Sequence, residues 1–520
     1  MLFKAGLGLV FLAAFLSAAV QVEGLIGARG LLPLAEHLER YRAAVPGLAG
    51  RLHDFPTLLW FDHSDGAIAA LTMAGAALSL LMIAGIGGRA VAFLLWLLYL
   101  SCVTAGRDFF FYQWDNLLLE TSLLAIALPG GGTIGRWVRR KALPEPSPVA
   151  VLLMKWVLFR LLVESALAKI LYGAEDWLTL RAMTYYYETA PLPSWGGWLV
   201  QQFPLWFHQA CVFFTFLCEL VLPMVVFARS RALRLSFFAF NAGFQTMIAL
   251  TSNYGWFNLL SIVLGLIVLD DSDIDAAARL FVKMRRRSRP GAEPGPGPAS
   301  GPTEAPALQV PAVVPAGRPG PWLRAGQIIS WALASLLTAA TLLETLPFFV
   351  RDPELNRWIA AVRKIYEPFR SINVYHLFPG VLRERIVAEF EGSRDGIDWI
   401  PYHLRYAPGD PKESPPMTWL HNPRFPFTYS FLTLGRGGRD SEYIGNLIQR
   451  LCCDPQAVAR MIENNPFLDQ GPSTLRVSYY RYRFGTWSDL DRTGEYWLRE
   501  QVRPPSRPIT CSCPPPPVRP

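Results

Sequence analysis

Arg285-Arg286-Arg287-Ser288-Arg289 opens an Arg-, Pro- and Gly-rich stretch, residues 285–321, that ends at the apolar segment Trp322–Val350. The chain changes character across this junction. Juxtamembrane Lys and Arg stay on the cytoplasmic side of a membrane. Trp322–Val350 is long enough to cross about 30 Å of hydrocarbon at about 1.5 Å per residue. Residues 351–520 should therefore emerge on the opposite side, in a periplasm or an organelle lumen. The expected organisation is a multi-span domain over 1–270, a cytoplasmic linker over 271–321, a last transmembrane helix over 322–350 and a non-cytoplasmic α+β domain over 351–520. The fold class this defines is a polytopic α-helical membrane bundle followed by an α+β extramembrane domain.

Composition agrees. The chain is 52% hydrophobic with a net charge of +8 and a mean hydropathy of +0.24. A basic balance can signal nucleic-acid binding. Here the cations sit beside apolar spans, so membrane orientation explains them and no nucleic-acid partner is expected. Eight further apolar segments precede the junction: Leu2–Val20, Ala67–Gly85, Ala90–Gly106, Asp115–Leu128, Val149–Tyr172, Phe207–Ala228, Leu233–Leu250 and Trp256–Leu269. The basic residues fall in alternate connections. Arg89 follows the second segment, Arg136, Arg139, Arg140 and Lys141 the fourth, and Arg229, Arg231 and Arg234 the sixth. That alternation is what nine spans with a cytoplasmic N-terminus require. The first segment also carries features of a cleaved signal peptide, with Lys4, an apolar run and Ser17-Ala18-Ala19. Its thin basic region favours a retained span.

Ionisable groups inside apolar spans are costly and are functional candidates by default. Asp115, Asn116 and Glu120 share the fourth segment. Arg160 and Glu164, four apart on one helix, share a face and are positioned to pair, with Lys155 and Lys169 in the same span. Glu219 and Glu344 lie in later spans. Interhelical ion pairs that lock the bundle are the plainer reading. A lipid, substrate or proton site is the sharper one.

Several motifs carry a family resemblance. Gln113-Trp114-Asp115-Asn116-Leu117-Leu118-Leu119-Glu120-Thr121, Gly24-Leu25-Ile26-Gly27 and Tyr186-Tyr187-Glu188-Thr189-Ala190-Pro191-Leu192-Pro193 resemble stretches of the lipase maturation factor family. So do Asn253-Tyr254, Asn373-Val374-Tyr375, Glu391-Gly392-Ser393, Asn422-Pro423-Arg424 and Tyr480-Arg481-Tyr482-Arg483-Phe484. Val374 and His376-Leu377-Phe378-Pro379 depart from the family's commoner Thr and Gly-rich stretch. The resemblance implies a membrane-embedded folding or assembly factor with membrane lipids around it and a secreted client of the lipase type. It also implies a C-terminal domain that contacts the client. Its eukaryotic members reside in the endoplasmic reticulum membrane; a prokaryotic source would place the chain in the cytoplasmic membrane.

Within 353–520, Arg385–Glu391, Trp399–Tyr406 and Thr474–Phe484 read as strands, and Ser441–Leu451 and Pro455–Asn464 as helices. The Pro514–Pro517 run reads as extended. His376, His403 and His421 are spread through the unit and read as structural. No G-x-S-x-G, H-E-x-x-H or phosphate loop occurs. No catalytic residue, cofactor or metal is therefore expected, and the chain does not read as an enzyme. The alternative is a membrane enzyme acting on a lipid or polypeptide within the bundle. Cys452, Cys453, Cys511 and Cys513 can form two bridges on an oxidising face or stay free. Trp399, Tyr402, Trp419, Phe425, Phe427 and Tyr429 form either core or a docking patch. Pro423 and Pro426 favour an exposed loop. Asn373, Tyr375, Trp419, Phe425 and Phe427 are accordingly the client-binding candidates.

Overall fold

All nine apolar segments are helical in the computed structural model, which describes residues 2–129, 145–173, 175–277, 279, 321–434, 442–463 and 465–513. They form α1 (Leu2–Ala19), α2 (Asp65–Ile83), α3 (Gly88–Gly106), α4 (Gln113–Ala127), α5 (Pro148–Leu171), α6 (Leu205–Phe216), α7 (Arg231–Thr251), α8 (Phe257–Gly265) and α9 (Pro321–Thr345). Among the described residues, five helical stretches are long and apolar enough to cross a membrane: Leu2–Ala19, Asp65–Ile83, Gly88–Phe109, Leu205–Val225 and Gln327–Phe348. The others are shorter or interrupted by charge. α4 and α8 are short, and α5 carries Lys155, Arg160, Glu164 and Lys169. α6 runs on through a π-turn at Leu217–Val221 into a 3₁₀ turn at Leu222–Val225, where Pro223 removes a backbone donor.

The bundle packs closely where side chains are small. A Cβ on Gly75 of α2 would meet the Phe15 ring of α1 at 2.4 Å, so glycine is required at that crossing. Lys4 donates to the Leu128 carbonyl at 3.0 Å, which places the start of α1 beside the end of α4. At the same end of the bundle Arg234 pairs with Asp270 (2.5 Å) and Asp273 (3.1 Å). The basic residues Arg136, Arg139, Arg140, Lys141 and Arg285–Arg289 and the Pro514–Pro517 run lie outside the described residues.

The C-terminal unit is built on an antiparallel sheet of β1 (Arg385–Ser393), β2 (Ile400–Pro401), β3 (Thr474–Phe484), β4 (Trp497–Arg503) and β5 (Ile509–Thr510). The order is β2-β1-β3-β4, with β5 also paired to β3. β1 and β3 pair from Arg385↔Tyr482 to Ser393↔Thr474. The expected strand over Trp399–Tyr406 shrinks to two residues. Pro401 has no N–H to extend the ladder, and Tyr406 turns into the left-handed region at φ +68°. α12 (Glu442–Cys453) falls where a helix is expected; the segment after it, Pro455–Met461, is 3₁₀. Within this unit, three helices among the described residues were not expected: α10 (Pro353–Arg363), α11 (Arg424–Tyr429) and α13 (Trp487–Thr493). Cys452–Cys511 and Cys453–Cys513 are disulfides with Cα separations of 5.3 and 5.4 Å, and they tie the chain's end to α12.

Candidate functional site

The C-terminal unit sits on one end of the bundle, and the polar candidates of the spans are what it grips. Asp115, in the first turn of α4, is fully buried. Arg424 reaches it from α11 with two bonds, Nη1 to Oδ2 at 2.5 Å and Nη2 to Oδ1 at 2.8 Å. The Tyr99 hydroxyl donates to the same carboxylate at 2.5 Å, and the guanidinium lies 4.1 Å from the Phe110 ring centre. A carboxylate at a helix N-terminus also meets the positive end of the helix dipole. Every charge in this assembly is compensated, as a buried pair requires.

Glu120, about one and a half turns further along α4, is the second anchor. Its Oε1 accepts from Arg160 Nη2. Its Oε2 accepts from Asn373 Nδ2 (2.9 Å) and the Tyr375 hydroxyl (2.7 Å). Arg160 Nη1 donates to the Asn373 carbonyl at 2.7 Å. The pairing of Arg160 with Glu164 expected from their spacing gives way to a pairing of Arg160 with Glu120 on the neighbouring helix. Glu164 instead accepts from the Tyr375 backbone N–H (2.8 Å) and from Thr345 Oγ1 at the end of α9 (2.9 Å). Residues 373–375 thus plug the bundle between α4, α5 and α9. Asn116 is half-buried, and its Oδ1 has no hydrogen-bond partner.

The remaining motif residues fall on the same junction. Gln113 exchanges bonds with the backbone of His376. Glu188 accepts from the Phe484 N–H at 2.7 Å, while Arg385 donates to the carbonyls of Glu188 and Ala190. Asn253 accepts from Thr418 N (2.9 Å) and donates to the Pro416 carbonyl (2.8 Å). Ser17 bonds Asn422 and the Nδ1 of His421. Burial, with Arg424 adding its charge, pushes His421 down to about 4, so the ring stays neutral at physiological pH. Lys169 of α5 donates to both oxygens of Glu219, at 3.0 and 2.7 Å, and to the Leu377 carbonyl at 3.1 Å.

Of the five client-binding candidates, four face inward. Tyr375 is fully buried, and Asn373 is half-buried with its amide spent on Glu120 and Arg370. Phe425 and Phe427 are 1% and 2% exposed. Phe427 packs edge-on against Trp114 and Tyr112, each at a centroid distance of 4.9 Å. The exposed loop expected from Pro423 and Pro426 is therefore the helix α11, with Pro423 just before it and Pro426 in its first turn, where the backbone N–H has no partner within the helix to lose. Trp419 alone of the five is open, at 65% exposure, and its backbone holds φ +53°.

The helical bundle, the mixed C-terminal unit and the motif residues that join them define one class of membrane protein. A profile described as the lipase maturation factor transmembrane domain matches residues 1–276, and one for the lipase maturation factor C-terminal domain matches 371–505. Rat lipase maturation factor 2 is 30% identical over 96% of this chain and 81% of its own length. The human protein of that name is 28% identical over the same shares, and bovine lipase maturation factor 1 is 27% identical over 97% and 87%. The chain belongs to the lipase maturation factor family. No solved structure matches it.

Proposed function

We propose that this protein is a membrane-embedded assembly factor that helps a secreted client, of the lipase type its relatives are named for, reach its mature fold. In this reading residues 1–270 and 322–350 are the membrane part and 271–321 a cytoplasmic linker. Residues 351–520 work in the endoplasmic reticulum lumen, or in the periplasm if the source is prokaryotic. One observation carries the orientation. The contacts named above between bundle and C-terminal unit lie at mid-span or toward the side that the charge rule assigns to the non-cytoplasmic half: Ser17 late in α1, Asp115 early in α4, Glu164 and Lys169 in the later half of α5, and Asn253 after α7. The two disulfides of that unit support it, since such bonds persist in oxidising compartments. A lumen- or periplasm-active reporter fused after Val350 should be active, and one placed within 290–315 silent. A cytoplasmic signal from the first fusion would overturn the orientation.

With four candidates committed to the junction, Trp419 is the client-facing residue of the set. A bulky residue held in the left-handed region is strained, and strain of that kind persists where function keeps it. Exposed Trp side chains dominate interface hot spots at roughly 2 kcal/mol or more each. Trp419→Ala is expected to lower secreted client activity per unit client mass while the factor itself stays protease-resistant. Phe427→Ala is expected to make the factor protease-sensitive, because it opens a cavity against Trp114. A normal activity-to-mass ratio for Trp419→Ala would remove the docking role.

A further inference from the structure

A cavity of about 530 Å³ lies between α5, α6, α7 and the loop bearing Trp419. That is the size of a small-molecule site. Glu120, Arg160 and Glu164 do not line it; its walls are mostly apolar. Three features narrow what it holds. The one charged pair in its lining, Lys169 with Glu219, is buried and internally matched. The ammonium spends its donors on Glu219 and the Leu377 carbonyl, so the pair offers no net charge to a ligand. Two other lining side chains, Gln245 on α7 and Trp177, are 3% and 1% exposed. Gln245 Oε1 and Trp177 Nε1 are buried without hydrogen-bond partners, one an acceptor and the other a donor. Buried polar atoms of this kind cost about 1–3 kcal/mol each when left unpaired. The third feature is the rim. Trp195, Met247, Leu250 and Trp419 line the cavity and are exposed there, on a surface continuous with the outward apolar side chains of α6 and α7.

We infer that this cavity binds a neutral bilayer lipid with one apolar chain and a hydroxyl-bearing head, of the monoacylglycerol type. A head bearing hydroxyls supplies both a donor for Gln245 Oε1 and an acceptor for Trp177 Nε1. A carboxylate supplies no donor to Gln245, and a phosphate or carboxylate brings a charge that the saturated Lys169–Glu219 pair does not answer. The apolar rim admits the chain laterally from the membrane. The π-turn that carries Glu219 fits this assignment, since such turns are frequent at functional sites. The inference stands apart from the client reading: Trp419 belongs to both surfaces, but the choice of occupant rests on Gln245 and Trp177.

The test uses the full chain in nanodiscs and three photoreactive probes with the same acyl chain: a monoacylglycerol, a fatty acid and a lysophosphatidylcholine. Labelled peptides are mapped by mass spectrometry. The monoacylglycerol should label 161–177, 211–219 and 244–251 and be displaced by unlabelled monoacylglycerol, with the two charged-head probes labelling these segments far less. Gln245→Leu should reduce that labelling about tenfold, the equivalent of one hydrogen bond near the top of its usual net range. Cys211→Trp, which fills the cavity from α6, should abolish it. If Cys211→Trp fails to fold, competition on the native chain together with Gln245→Leu decides. Equal labelling by all three probes, labelling elsewhere only, or an unchanged Gln245→Leu would overturn the assignment.

Discussion

Arg424→Met is expected to be among the most destabilising single substitutions in this chain, costing about 3–5 kcal/mol because it strands the fully buried carboxylate of Asp115. Among the described residues, Tyr99 would remain as its one side-chain donor. Asp115→Asn also leaves the buried Arg424 guanidinium without its counter-ion, but its amide oxygen still accepts a hydrogen bond from Arg424 or Tyr99, so a smaller loss is expected. The paired change Asp115→Leu with Arg424→Met should recover much of the loss, because two apolar groups need no compensation. Thermal unfolding in one fixed detergent, read beside limited proteolysis between bundle and C-terminal unit, separates these cases. Strictly additive losses would mean that the two side chains do not depend on each other.

The second large effect is expected at Glu120. This carboxylate gathers donors from Arg160, Asn373 and Tyr375, so Glu120→Leu unpairs a buried guanidinium and two further groups at once. A cost of about 3–5 kcal/mol is again expected. A double-mutant cycle gives the sharper measurement. The coupling between positions 120 and 160 should reach about 2–3 kcal/mol, the upper part of the range for contacting residues. That between 160 and 164 should stay below about 1 kcal/mol, because Glu164 spends its bonds on Tyr375 and Thr345. The reverse order would restore the same-helix pair and remove Glu120 from the centre of the site.

These two cases also mark where sequence reasoning stops. The nine apolar helical segments, the β1 and β3 strands and the interior polar positions Asp115, Glu120 and Arg160 were legible, because periodicity and the cost of intramembrane charge are local properties. Partners are not local. The spacing of Arg160 and Glu164 states which residues share a face, not what lies opposite. The true partner of Arg160 came from α4, and the partner of Asp115 from a helix 309 positions away. The same gap explains Phe425 and Phe427. Two prolines in a short aromatic stretch look like a loop when the Trp114 and Tyr112 rings that cover it lie far upstream. One signal was available: polar motif residues occur in both halves of the chain, and each half supplies what the other lacks.

The plug formed by residues 373–375 has a consequence for biosynthesis. A ribosome delivers Asp115, Glu120 and Arg160 to the membrane well before it delivers the groups that complete their pairing, which come 253 positions later for Asn373 and 309 for Arg424. Throughout that interval the nascent bundle carries incompletely matched charges in its interior. The newborn helices must therefore be sheltered, by the insertion machinery or by water, until Asn373 and Arg424 have been made. Completion of the bundle is timed by the unit that caps it.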